Sequence, residues 1–284
     1  MGRRERTRVV CGVRVPTFFY GTAWKEQATT ELVSMALAAG FRGIDTANQR
    51  RHYDEEGVGR AFTAAFATGS VRREELFVQT KFTHLGGQDH RLPYDAGVPV
   101  GEQVSQSFRS SVAHLGIASV DSYVLHGPTQ RRGLGPDDRA AWRAMEALQE
   151  RGAVRLLGVS NVTPDQLEEL LGFAHVPPAV VQNRCFARLG WDARVREICG
   201  RHAIAYQAFS LLTANRDVLQ RPKVGDIAAR HRRTVAQVVF RFSLALGMIP
   251  LTGTTNPAHM RDDLGVYDFD LVEDDLRTLA AGGL

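Results

Sequence analysis

The chain has 284 residues, 44% of them hydrophobic and 23% charged, which is ordinary globular composition with room for one large α/β domain. Much of its formal charge of +4 sits in the opening Arg3, Arg4, Arg6 and Arg8, and no basic patch, zinc-finger spacing or helix-turn-helix signal accompanies it, which argues against nucleic acid and leaves room for a small anionic ligand. Cys11, Cys185 and Cys199 have no metal-type spacing and no run is apolar enough for a leader or a membrane span, so a reducing, cytoplasmic setting is expected, with neither a disulfide framework nor a membrane partner.

In chain order, β-branched or aromatic runs alternate with stretches of helical periodicity. The pattern predicts strand 13–20, helix 29–39, strand 42–46, helix 55–68, strand 76–81, helix 101–115, strand 122–126 and helix 137–151 in the first half. Strand 155–160, helix 163–172, strand 180–183, helix 192–202, strand 203–208, helix 234–246, strand 248–251 and helix 257–264 follow in the second. Thr163-Pro164-Asp165-Gln166 carries a cap residue, proline at the first helical position and a capping-box glutamine, as a helix start requires.

Eight βα units build either an open doubly wound sheet or a closed barrel. The first strand lacks a Gly-x-Gly-x-x-Gly turn after it, and Gly57-Val58-Gly59 lies inside a helix, so the fold class expected is a (β/α)8 TIM barrel, one domain over residues 1–284. The longest irregular piece, residues 84–100, is long enough for a functional loop.

In such a barrel the reacting groups stand at the carboxyl ends of the strands. Here the second strand closes on Asp45 and leads to Tyr53, the third ends on Lys81 and the fourth on His126. A phenol of ordinary pKa about 10 is a reluctant acid at neutral pH, and a nearby ammonium pulls that value down. Lys81 is placed to be that ammonium, Asp45 to hold it, and His126 to orient a substrate oxygen while Tyr53 donates the proton. His84, Asp89 and His90 match no familiar metal spacing, so no metal is expected, and Arg50, Arg51 and His52 read as a solvated turn within reach of an anionic substrate.

The runs Gly40-Phe-Arg-Gly-Ile-Asp45-Thr-Ala and Tyr53-Asp-Glu-Glu-Gly-Val-Gly59 resemble the signature of the aldo-keto reductases, and further motifs extend the likeness over nearly the whole chain: Gly21-Thr22-Ala23-Trp24, Gly158-Val-Ser160-Asn161, Gln182-Asn183 and Ala208-Phe209-Ser210. The resemblance implies an NAD(P)H-dependent reductase of a small-molecule carbonyl substrate, with Asp45, Tyr53, Lys81 and His126 as its four catalytic positions. It also implies that Ser160, Asn161 and Gln182 bond a nicotinamide carboxamide, that Phe209 stacks on the ring where relatives usually have tyrosine, and that Trp24 lines the substrate side. The remaining cofactor contacts implied are Gly21, Thr22, Ser210, Leu211, Thr252, Gly253, Thr254, His259, Arg261, Asp262 and Asp263.

Relatives that prefer NADPH usually carry a lysine where Leu251 stands and an arginine near His259. With neither present, Arg261 is the residue expected to meet a 2′-phosphate, and NADPH is expected over NADH by a narrow margin, NADH remaining usable. The chain also has an extended loop after Lys81 and a short tail after its last predicted helix. A second reading of another class is a cofactor-sensing regulatory or binding subunit on the same barrel. No motif identifies the carbonyl compound or the oligomeric state.

Overall fold

The computed structural model describes residues 6–283; residues 1–5, with part of the basic opening, and Leu284 lie outside the described residues. The chain starts with an antiparallel hairpin, β1 (Thr7–Val10) and β2 (Val13–Pro16), turned at Cys11 and Gly12, both with positive φ, the conformation that matches the twist of paired strands. The single strand expected over 13–20 is therefore two elements. Pro16 offers no N–H, and the next amide, Thr17, is spent on the Arg6 carbonyl at 2.9 Å, so the first barrel strand begins only at β3 (Phe19–Gly21).

The order then runs α1 (Thr29–Ala39), β4 (Gly43–Asp45), α2 (Glu55–Ala67), β5 (Phe77–Phe82), α3 (Val100–Leu115), β6 (Val120–Leu125), α4 (Pro136–Glu150), β7 (Val154–Ser160) and α5 (Pro164–Phe173). It continues with β8 (Val180–Arg184), α6 (Ala193–Arg201), β9 (Ala205–Phe209), α7 (Arg216–Leu219), α8 (Pro222–His231), α9 (Val235–Ala245), β10 (Ile249–Thr252), α10 (Pro257–Leu264) and α11 (Glu273–Ala280). Strands β3 to β10 pair in parallel, each with the next, and β10 returns to β3, closing the barrel. The cap at Thr163 forms as its spacing requires, Gln166 N donating to Thr163 Oγ1 at 3.2 Å and Thr163 N to Gln166 Oε1 at 3.0 Å.

Three helices escaped the sequence pattern: α7, α8 and α11. Each is short, and α11 is rich in charge. Tertiary contacts hold it instead: Trp191 Nε1 donates to the Leu279 carbonyl at 2.9 Å, and the buried Asp275 lies 2.6 Å from His231 Nε2 and also pairs with Arg230. Between α2 and α3 the approach is so close that a Cβ on Gly59 would lie 1.9 Å from the His114 carbonyl oxygen; only glycine fits.

Period-two alternation sorts every barrel strand into an outer face and an inner one. Outward residues such as Ile44, Val78, Leu157, Val181 and Tyr206 pack beneath the helices in the main core. Inward ones at the strand starts, Phe19, Phe77, Leu156, Val180, Ala205 and Ile249, form a smaller apolar cluster with Val10, Val13 and Val15, so the hairpin plugs the amino end of the barrel. Further along the same strands the interior turns polar, with Asp45, Gln79, Lys81, Gln182 and Gln207 all buried. Among the described residues no helix is long and apolar enough to cross a membrane.

Candidate active site

Lys81 is wholly buried, and its ammonium is satisfied on three sides: Nζ donates to both oxygens of Asp45 at 2.7 Å and to the Thr46 carbonyl at 2.8 Å. Asp45 Oδ1 accepts two further hydrogen bonds, from Gln79 Nε2 at 2.7 Å and Gln182 Nε2 at 3.0 Å. Burial pushes the Lys81 ammonium below the ordinary lysine range while Asp45 opposes the fall. The pair is thus fixed by interior geometry and not by solvent-exposed attraction.

Tyr53 follows β4 on a loop whose backbone turns back on itself, Tyr53 N donating to the Gln49 carbonyl at 3.0 Å. Its ring centroid lies 5.4 Å from Lys81 Nζ and 5.9 Å from the imidazole of His126, edge to face. The four side chains expected from the sequence therefore meet. The sense of the electrostatics differs from expectation: burial, and after it the Asp45 charge, pushes the Tyr53 phenol above its ordinary range. Lys81 is turned onto Asp45, whose negative charge offsets the effect of the ammonium on the phenol.

His126 stands one residue beyond β6, its amide donating to the Phe82 carbonyl at 2.8 Å. Burial, then the Lys81 charge, pushes the imidazole down to about 3, so it is neutral at physiological pH. Nδ1 is 2.7 Å from Thr83 Oγ1, which leaves Nε2 for other partners. Next to this group, Trp24 is 68% exposed in a left-handed backbone conformation and lies on His52, ring centroids 3.8 Å apart. His52, expected to belong to a solvated turn, is thereby part of the site.

A cleft of about 1340 Å³ opens over the carboxyl ends of the strands, with Tyr53, His126 and Trp24 in its wall. Thirteen of the fifteen expected cofactor positions line it: Gly21, Ser160, Asn161, Gln182, Phe209, Ser210, Leu211, Thr252, Gly253, Thr254, His259, Asp262 and Asp263. Two do not. Thr22 is fully buried and uses both its amide and its hydroxyl on the Asp45 carbonyl, each at 3.0 Å, so it anchors β4 to β3. Arg261 is exposed on the other face of α10 from the buried Asp263, because neighbouring helical positions point about 100° apart.

Asn256 caps α10, its Oδ1 accepting from Ala258 N at 2.8 Å, with Pro257 at the first helical position. Asp263 is pushed up to about 6, chiefly by burial. Three non-glycine residues at the cleft, Trp24, Asn161 and Ser210, have φ near +60°, a strained conformation that clusters at ligand sites.

The sequence reading passed over four residues here. Lys25 is buried in the cleft wall with its ammonium on the Gly253 carbonyl, and Arg184 lines the cleft with its guanidinium 5.6 Å from the Phe209 ring centroid. Gln79 and Gln207 lie inside the barrel bonded to each other, Gln79 also to Asp45 and Gln207 also to Gln182. Counting inward positions along Phe77-Val78-Gln79-Thr80-Lys81 and Ala205-Tyr206-Gln207 would have found both glutamines. The extended loop is not a free flap: Gln88 Nε2 donates to the Asn48 carbonyl at 2.9 Å, Gln49 Nε2 to the Gly87 carbonyl at 2.7 Å, and Tyr94 Oη to the Thr83 carbonyl at 2.8 Å. Within it His84 lies 3.1 Å from Asp138, and Asp89 pairs with Arg91.

A closed eight-stranded parallel barrel with a lysine–carboxylate pair, a tyrosine and a histidine at its carboxyl mouth is the architecture of a barrel enzyme. Residues 17–281 match the profile described as the aldo/keto reductase family, and the chain belongs to that family. It is similar to an aldo-keto reductase of Mycolicibacterium vanbaalenii, 35% identical over 87% of this chain and 80% of the relative. It is also similar to a 9,11-endoperoxide prostaglandin H2 reductase of Trypanosoma cruzi, 31% identical over 94% of this chain and 87% of that one. An aldo/keto reductase structure from Brucella melitensis superposes with a TM-score of 0.82 at 28% identity, covering 97% of this chain and 98% of that one. The chain is accordingly an oxidoreductase of a family that works on carbonyl groups with nicotinamide cofactors.

Proposed function

We propose that this protein reduces a small aldehyde or ketone to the alcohol with NADPH, Tyr53 supplying the proton. The observation that carries the reading is the meeting of Tyr53, His126 and the buried Lys81–Asp45 pair at one wall of the cleft. A reduced nicotinamide, when bound, supplies the hydride.

The donor set fits that group. The Gln182 Nε2 hydrogens are engaged by Asp45 and Gln207, and Asn161 Nδ2 donates to the His126 carbonyl at 2.8 Å and to Ser160 Oγ at 3.1 Å. The amide oxygens of both residues are therefore the atoms left for a ligand, and two acceptors beside the Phe209 ring suit a planar group bearing an –NH2. At the other end Thr254 and the amino terminus of α10 offer neutral donors to phosphate, and Lys25 adds a positive charge in the wall.

Tyr53 stays protonated at neutral pH because burial and Asp45 raise its pKa. It can therefore bond a carbonyl oxygen as donor before giving up its proton, and the negative charge it then acquires is stabilised by the nearby Lys81. His126, neutral and held at Nδ1 by Thr83, donates from Nε2 to the same oxygen and sets its position. Trp24 and His52 border the substrate side. The preference for NADPH over NADH is narrow in this reading, since Asp262 and Asp263 share the adenosine end of the cleft and Arg261 reaches it only by a swing of its side chain.

The direct test is a panel of aldehydes and ketones mixed with protein and NADPH, followed by loss of absorbance at about 340 nm. Turnover with at least one is expected, and none with any would overturn the proposal. No specific observation favours the regulatory-subunit reading.

A further inference from the structure

Inside the barrel, two glutamines with no solvent exposure are costly unless every polar atom is used. They are used on one another. Gln79 Nε2 donates to Gln207 Oε1 at 2.7 Å and Gln207 Nε2 returns a bond to Gln79 Oε1 at 3.1 Å, a closed amide pair. Gln79 gives its other hydrogen to Asp45 Oδ1 at 2.7 Å. Gln182 Nε2 then donates to the same two acceptors, Asp45 Oδ1 at 3.0 Å and Gln207 Oε1 at 2.9 Å. The register makes this possible: Asp45 is opposite Gln79 across β4 and β5, and Gln182 opposite Gln207 across β8 and β9.

The orientation of all three amides follows from one fact. A carboxylate oxygen accepts and does not donate, so Gln79 and Gln182 must both face Asp45 with nitrogen, and Gln207 must then face their second hydrogens with oxygen. Gln182 is left with Oε1 as its unengaged atom, and Gln182 lines the cleft.

We propose that Gln79 and Gln207 are positioning residues which fix the Gln182 amide with its oxygen towards the cleft, so that the cofactor subsite selects a ring substituent bearing an –NH2 donor. The same network ties that subsite to the carboxylate holding Lys81. This inference rests on the nicotinamide reading above, with Gln182 at the carboxamide.

The test compares two reduced cofactors by calorimetric titration: NADPH and its 3-acetylpyridine analogue, in which a methyl ketone replaces the carboxamide. Wild type is expected to bind NADPH about threefold or more tightly than the analogue, the value of one hydrogen bond. In Gln207→Met the Gln182 nitrogen still faces Asp45 but the second hydrogen bond that pins the plane of the amide is gone, and that ratio should fall to within about twofold of unity. Gln79→Met should move it the same way, since it frees Gln207. Gln207→Glu, whose carboxyl burial and the nearby Asp45 keep protonated, retains an oxygen for both nitrogens and a hydrogen for Gln79 Oε1, and should keep the wild-type ratio, which a general loss of packing would not.

Wild type that binds no NADPH at all would overturn the nicotinamide reading itself. Wild type that binds both cofactors equally would leave that reading standing and overturn the proposal. So would a folded Gln207→Met with an unchanged ratio, or one that weakens both cofactors by the same factor. If Gln207→Met fails to fold, Gln79→Met and Gln207→Glu decide by the same comparison.

Discussion

Replacing Lys81 by methionine removes the interior cation while keeping most of its volume. In the folded chain Nζ makes three short contacts, two to Asp45 at 2.7 Å and one to the Thr46 carbonyl at 2.8 Å, and its side chain is 1% exposed. Breaking a buried pair by deleting one partner typically costs about 3–5 kcal/mol, because the other charge is stranded. Asp45 retains two donors, Gln79 and Gln182, so the lower end, about 3 kcal/mol, is the expected loss.

The stranded carboxylate is the cause, and a second change tests that. Adding Asp45→Asn to Lys81→Met removes the charge and leaves an oxygen for the same two glutamines, so the double variant should recover about 1–2 kcal/mol. Urea unfolding followed by circular dichroism at one pH measures both steps. A Lys81→Met protein as stable as wild type, or a double variant no more stable than the single, would refute the reasoning. Both variants should also lose carbonyl turnover, since neither supplies the charge that stabilises the Tyr53 phenolate.

Tyr53→Phe deletes the proton donor and keeps the ring; cofactor titration should be unchanged while kcat falls by about 10²–10⁴-fold, and a near-normal rate would assign the proton to another group. His126 has a folded pKa near 3 against an ordinary 6.5, so the unfolded chain takes up its proton first and stability falls as pH drops from 6.5 towards 3. In His126→Gln that slope should be shallower by on the order of 1 kcal/mol per pH unit between about pH 6 and 4, and identical slopes in urea titrations of the two proteins would contradict the burial argument. NADPH should give a higher kcat/KM than NADH by a narrow margin that shrinks in Arg261→Ala; equal or better use of NADH by wild type would remove the preference, and an unaltered ratio in the variant would clear Arg261.

The repeated alternation of short apolar strands and amphipathic helices determined a parallel sheet covered by helices on its faces, and the missing Gly-x-Gly-x-x-Gly turn after the first strand pointed to the closed barrel over the open sheet. The carboxyl-end placement of Asp45, Lys81 and His126 followed from strand boundaries alone, and the capped start at Thr163 from local hydrogen-bond chemistry. What is not local was not legible. The break after Pro16 depends on Thr17 bonding Arg6, the residue just before the facing strand, and α11 depends on Trp191, Arg230 and His231, far off in sequence.

The same holds at the site. The spacing of Tyr53 from Lys81 conveyed nearness but not sign: burial, and after it the Asp45 charge, raise the phenol's pKa, and neither is written in the order of residues. Thr22 and Arg261 stood in the right motifs, yet the side-chain direction imposed by the β3 register and by the α10 helical turn carried both away from the cleft. Gln79 and Gln207 are separated by 128 positions, and only the closing of the barrel brings their amides onto Asp45 and Gln182, because parallel strands align residues by register and not by distance along the chain.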